Sequence, residues 1–224
     1  MADRMAVLVE GGVPPQSVVL LNGAPGTGKS LLALQLLADH VKAGGGALFV
    51  TTESLPSKIV DRMPELRGAP NLWFLDAYSW RVAAPPGEAN VVAVPGLSDL
   101  STLSIRFSEA LARIPAPRLV VFDTASTLAL HASASTVLKF FELSFAKARA
   151  AGASMLLAVE KGVHEEPFMT ALSYMCDGVV DLKLEDGPED ILRFVRVRAL
   201  RTAPAVSGKW ARLMLGANGV ELLL

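Results

Sequence analysis

Cysteine is almost absent from this chain: Cys176 is the only one in 224 residues. That excludes an internal disulfide and a cysteine-built metal cluster. Charge is also scarce. Charged residues make up 19% of the chain, below the roughly 25% of an ordinary globular domain, and the formal net charge is −1. So neutral a molecule offers no long-range field for nucleic acid or an acidic membrane surface. No apolar run approaches the ~18 residues that span a bilayer as a helix. The opening residues, Met1 to Glu10, lack the apolar centre of a secretory signal, which points to a cytoplasmic protein. Sequence repeats are missing too.

What is abundant is apolar: 51% of residues. That surplus is expected in strands buried on both faces and in a subunit or partner interface. The length suits a single α/β domain over residues 1–224, since no internal linker argues for two. Short continuous apolar runs read as buried strands: Ser17–Leu21, Ala47–Thr51, Leu72–Asp76, Leu119–Asp123 and Ser154–Val159. They alternate with helix-like stretches at Ser30–Ala43, Pro56–Met63, Asp99–Ile114 and Ser135–Ala150, with Gly44–Gly46 and Gly152 where C-terminal caps belong. Such alternation means a mostly parallel sheet covered by helices. From 179 to 224 the pattern changes to strands at Val179–Glu185, Ile191–Leu200, Lys209–Leu215 and Gly219–Leu223, with turns at Asp186–Pro188 and Gly216–Gly219, an antiparallel extension. Ala77–Ser98 shows no periodicity, and a loop of that length is expected to be a lid, an interface arm or flexible.

One motif dominates the chemistry. Gly23-Ala24-Pro25-Gly26-Thr27-Gly28-Lys29-Ser30 satisfies every fixed position of a phosphate-binding P-loop, G-x-x-x-x-G-K-[ST]. Glycines let backbone N–H groups ring an anion. The lysine supplies a point charge for the β- and γ-phosphates, and the serine hydroxyl is placed for Mg²⁺. An apolar strand precedes the loop and a helix beginning at Ser30-Leu31 follows, aiming its positive end at the phosphates. Asp123, closing a buried strand, is the candidate metal carboxylate; the alternative is a cap for a helix over Thr124–Leu130. Glu53, just past another strand end, is the candidate for activating water, against a first-turn glutamate that only serves the helix at Pro56. Glu160 also ends a strand, and sensing the γ-phosphate and solvating the terminus fit it equally. His40, His131 and His164 lack metal-ligand spacing, so ordinary polar or packing roles are expected.

Several pieces occur in a telling order: Gly11-Gly12-Val13-Pro14, the P-loop, Phe49–Glu53, Val120–Asp123, Cys176–Leu182, Arg201 and Gly216–Glu221. Together they resemble the KaiC-like branch of the RecA superfamily over nearly the whole chain. Thr51–Ser54 followed by Met63 is similar to FlaH, the single-domain KaiC-like component of the archaellum motor. The resemblance implies a RecA-type core, ATP and Mg²⁺ as ligands, and a ring, usually a hexamer, with nucleotide between subunits. It assigns Lys29 and Ser30 to phosphate and metal, Asp123 to the second metal-site position, Glu53 to the catalytic carboxylate and Arg201 to a finger reaching the neighbouring subunit.

Two departures stand out. Ser54 replaces the second of two adjacent glutamates common in KaiC domains, and Ala199 sits where the finger motif Lys-x-Arg has its lysine. Arg198 is one residue away, and strict alternation would turn it to the opposite face. Slow hydrolysis is therefore expected, or nucleotide-dependent scaffolding with little turnover, as in a FlaH-like component. A RecA-like DNA-dependent ATPase is the third reading. Arg193, Arg196, Arg198, Arg201 and Arg212 form the densest basic cluster. Alternation pairs Arg196 with Arg198 on one face and Arg193 with Arg201 on the other. Interleaved aromatics are few and acids adjoin, so a solvated sheet edge is preferred, then a subunit interface, then DNA.

Overall fold

The computed structural model describes residues 13–82, 90–201, 208–216 and 219–223. Among these, ten strands form one sheet in the order β10-β9-β8-β7-β1-β6-β5-β2-β3-β4. The strands are β1 (Val18–Gly23), β2 (Gly46–Thr51), β3 (Leu72–Asp76), β4 (Val91–Ala93), β5 (Arg118–Asp123), β6 (Ala153–Glu160), β7 (Gly178–Asp186), β8 (Ile191–Leu200), β9 (Ala211–Gly216) and β10 (Gly219–Leu223). From β4 across to β7 all pairs are parallel, and β7 to β10 are antiparallel. Five helices connect them: α1 (Lys29–Lys42), α2 (Pro56–Arg62), α3 (Leu100–Arg113), α4 (Ala134–Ala150) and α5 (Glu166–Met175).

The continuous apolar runs are explained by a sheet that packs on both sides. In β1, Val18 and Leu20 enter one core with α3, α4 and α5, while Val19 and Leu21 enter the other with α1 and α2. The first core centres on edge-on aromatic packing, Phe122 lying 5.1 Å from Phe141, an arrangement favoured by the ring quadrupoles. Helix starts follow capping chemistry: Asp99 accepts the Ser101 N–H at 2.9 Å, and Ser133 accepts that of Thr136 at 3.3 Å. Helices α1 and α4 stop at Gly44 and Gly152, whose φ angles of 89° and 71° suit glycine.

Three expectations need correcting. Ala77–Ser98 is not wholly irregular: it holds a 3₁₀ turn at Ser79–Val82 and the strand β4 beside β3. The buried Asp76 carboxylate folds the chain there by accepting the N–H groups of Tyr78 and Ser79, both at 2.9 Å. A three-residue strand is too short for periodicity to reveal. Helix α5 was not anticipated, although Pro167 in its first turn is a start signal. The third strand of the extension begins at Ala211, not Lys209. Ala84–Gly87, Gly11-Gly12 and the middle of the 216–219 turn lie outside the described residues.

Candidate functional site

Parallel strands put their carboxyl ends on one edge, where ligands of open α/β sheets bind. Register aligns Gly23 of β1 with Glu160 of β6, and Thr51 of β2 with Asp123 of β5. The segment Gly23–Ser30 therefore rises from the same edge that carries all three candidate carboxylates. Its glycines are there for geometric reasons. A Cβ on Gly23 would meet Thr27 Oγ1 at 2.7 Å and the Leu182 carbonyl at 2.9 Å. Gly26 and Gly28 have φ of 80° and 96°, a backbone that turns successive N–H groups inward. Ala24, Pro25 and Gly26 form the exposed crest, whereas Thr27 turns inward and donates to the Ala24 carbonyl at 2.8 Å. Leu31, in the first turn of α1, lines the cavity of about 610 Å³ above the loop.

The polar groups converge on that cavity. Lys29 is 4% exposed, and its Nζ donates to Glu160 Oε2 at 2.8 Å and to the Ala24 carbonyl at 3.0 Å. Ser30 Oγ donates to Asp123 Oδ1 at 3.0 Å. Glu53 Oε1 accepts from Thr127 Oγ1 at 2.9 Å. Two bland alternatives lose their support. The cap of the 3₁₀ segment Ala125–Leu130 is Thr124, not Asp123, and no acidic residue lies in the first turn of α2. Thr124 itself is turned into the fold, donating to the Ala158 carbonyl at 2.9 Å.

Burial pushes the Asp123 carboxyl up to about 6, with Glu53 and Glu160 adding like-charge repulsion and the Ser30 hydrogen bond opposing it. A partly buried carboxylate short of positive charge, beside a serine hydroxyl, fits a hard divalent cation with oxygen ligands. Burial likewise holds His164 below its ordinary value and raises the Cys176 thiol to about 12, which leaves that cysteine inert. His40 bonds the Pro117 carbonyl at 3.1 Å, and His131 bonds Arg81 at 3.0 Å and meets Trp80 edge-on. Their roles are the ordinary polar ones expected. His164 differs, bonding Ser126 Oγ at 2.7 Å.

Sequence reasoning missed two cations on the cavity, Arg62 and Arg193. Arg193 Nε donates to the Gly26 carbonyl at 3.2 Å, so β8 reaches back over the loop. Only the sheet order brings residues 167 apart into contact, and no local signal marks it. The reading of the arginine faces also needs correction. A register shift between Val179 and Val180 makes Arg198 an extra, bulged residue of β8. Alternation slips there: Val195, Val197 and then Leu200 join the same core. Arg196 and Arg198 both reach Asp181, at 3.3 and 3.4 Å. Arg201 joins their side of the sheet, donating to the Tyr174 carbonyl of α5 at 3.0 Å. The one-residue offset thus does not turn Arg198 away from Arg201. Arg201 lies beside Asp177, at the sheet end opposite the chain's own P-loop.

A glycine loop between strand and helix, a buried lysine, and a serine–aspartate pair that joins α1 to the end of β5, one strand beyond β6, define a P-loop nucleotide-binding domain of RecA type. The chain belongs to the KaiC family of ATPases: the family model described as "ATPase: KaiC" matches residues 3–223. It is 28% identical over 199 residues to a UPF0273 protein of Pyrobaculum aerophilum, covering 85% of this chain and 70% of that one. With the circadian clock protein KaiC3 of Synechocystis it shares 23% over 221 residues, 96% of this chain but 43% of that protein. A crystal structure of a KaiC-like protein from Pyrococcus horikoshii superposes with a TM-score of 0.77 at 18% identity, covering 99% and 96% of the two chains. That likeness establishes the shared fold. Among the described residues no helix is long and apolar enough to cross a membrane.

Proposed function

We propose that this protein binds ATP with Mg²⁺ and hydrolyses it slowly, coupling nucleotide state to assembly of a ring of identical subunits or to a protein partner. The observation that carries this reading is the convergence of Lys29, Ser30, Asp123 and Glu53 on one cavity at the strand ends. Backbone N–H groups of Gly23–Ser30 and the Lys29 ammonium hold the phosphates. Ser30 and Asp123 hold the cation, which neutralises phosphate charge when bound. Glu53 orients and deprotonates the attacking water, with Thr127 fixing its carboxylate. Arg201 serves a neighbouring subunit, since its own P-loop is out of reach. The single glutamate at 53–54 supports slow turnover. Residues 1–224 act as one cytoplasmic domain, with 179–224 extending the core.

Phosphate release measured beside molecular mass, with and without Mg–ATP, tests the reading. Slow release together with an ATP-dependent rise in mass is expected. Wild-type turnover retained in Glu53→Gln would remove the assigned base. A change of mass with no turnover would make the protein a switch rather than an enzyme.

A further inference from the structure

Lys29 has an acidic partner within its own chain. A lysine 4% exposed needs a counter-charge, and Glu160 provides it at 2.8 Å, itself 22% exposed. The glutamate is held from behind: its backbone N–H donates to Ser126 Oγ at 2.9 Å, and the same oxygen meets His164 Nε2 at 2.7 Å. Glu160 also borders the cavity together with Glu53 and Asp123.

We infer that Glu160 is an internal stand-in for the terminal phosphate: it occupies Lys29 until a triphosphate displaces it, and so sets how strongly the site prefers triphosphate to diphosphate. The inference rests on the P-loop reading above and adds to it a positioning residue that acts through Lys29. The physical argument is an exchange of anions. A nucleotide that recruits Lys29 must break the ion pair and leave a carboxylate facing its own negative charge. The cost falls most on a ligand whose charge lies nearest Glu160, the end farthest from the nucleoside. A neutral amide at 160 keeps a hydrogen-bond acceptor for Lys29 and removes the competing charge.

The test measures binding of a non-hydrolysable ATP analogue and of ADP, each with Mg²⁺, by calorimetry on wild type, Glu160→Gln and Lys29→Ala. Glu160→Gln should tighten the triphosphate about tenfold, ~1.4 kcal/mol, and ADP by no more than about twofold. The ligand-free variant should melt about 4 °C lower, because buried Lys29 loses its counter-charge, yet gain more from saturating triphosphate. A general loosening of the site would weaken both nucleotides and cannot produce that change of ratio. Unchanged preference, or weaker triphosphate binding, overturns the inference while wild-type binding and its loss in Lys29→Ala leave the P-loop reading standing. No binding by any of the proteins removes both. Should Glu160→Gln not fold, Glu160→Asp keeps the charge but withdraws it by one methylene, and the preference should shift the same way to a smaller extent; no shift overturns the inference.

Discussion

Each end of the sheet holds a cavity, and the two are nearly the same size, about 610 Å³ at the P-loop end and about 560 Å³ at the other. Their linings differ in what the charges are for. At the far end, His40 is used on the Pro117 carbonyl, Lys42 on Glu65, and Arg118 on the carbonyls of Ile114 and Ala151. Those groups hold loops and helix ends in place. At the P-loop end, Glu53, Asp123 and Glu160 line the cavity with Lys29, beside a loop whose Gly26 and Gly28 take positive φ. Volume alone would not separate the cavities; opposed charges on a preorganised backbone do.

The sharpest way to break the contrast is Lys29→Ala, which should weaken Mg–ATP binding by about a hundredfold or more, since a buried charge-assisted contact is lost, as read by calorimetry. Glu53→Gln comes next. Phosphate release should fall about a hundredfold, the lower range for losing a general base, while nucleotide affinity stays within about threefold. An affinity loss as large as the rate loss would place Glu53 in binding instead. Acidity should have a smaller effect. With the Asp123 carboxyl at about 6, protons compete with the cation, so Mg²⁺ dependence measured at pH 5 should require about tenfold more metal than at pH 7. The sign for stability is opposite. Burial on folding raises the Asp123 carboxyl from 3.8 to about 6, so this group's contribution is full below 3.8 and lost as pH rises through about 6. The least effect belongs to the far end: His40→Ala should cost about 0.5–1 kcal/mol of stability, read by denaturant unfolding, and leave nucleotide affinity within twofold.

What could be read in advance was whatever a short stretch of chain decides. Gly23–Ser30 demands its own backbone, and the flanking strand and helix announce themselves by composition, so the loop, Ser30 and Asp123 stand where expected. The antiparallel extension was legible from turn residues. The Lys29–Glu160 pair was not, because 131 residues separate its members and only the placing of β1 beside β6 joins them. The bulge at Arg198 escaped for a related reason. One extra residue in β8 is defined against its partner β7, and β8 read alone gives no sign of it. Helix α5 is short and buries only Phe168 and Leu172 among its ten residues, too thin a stripe to register.

Gln35 lies 1% exposed in the middle of α1, and its amide oxygen accepts the Val220 N–H at 3.3 Å while its nitrogen bonds Asp39 at 3.2 Å. The helix that begins at the phosphate loop is therefore covered by the strand farthest from it in the chain. On the ribosome that helix waits through some 180 further residues, about ten seconds or more, before its cover exists. Until then a polar amide and the apolar face around it stay wet, so the helix behind the phosphate loop is completed only by a strand made long after it.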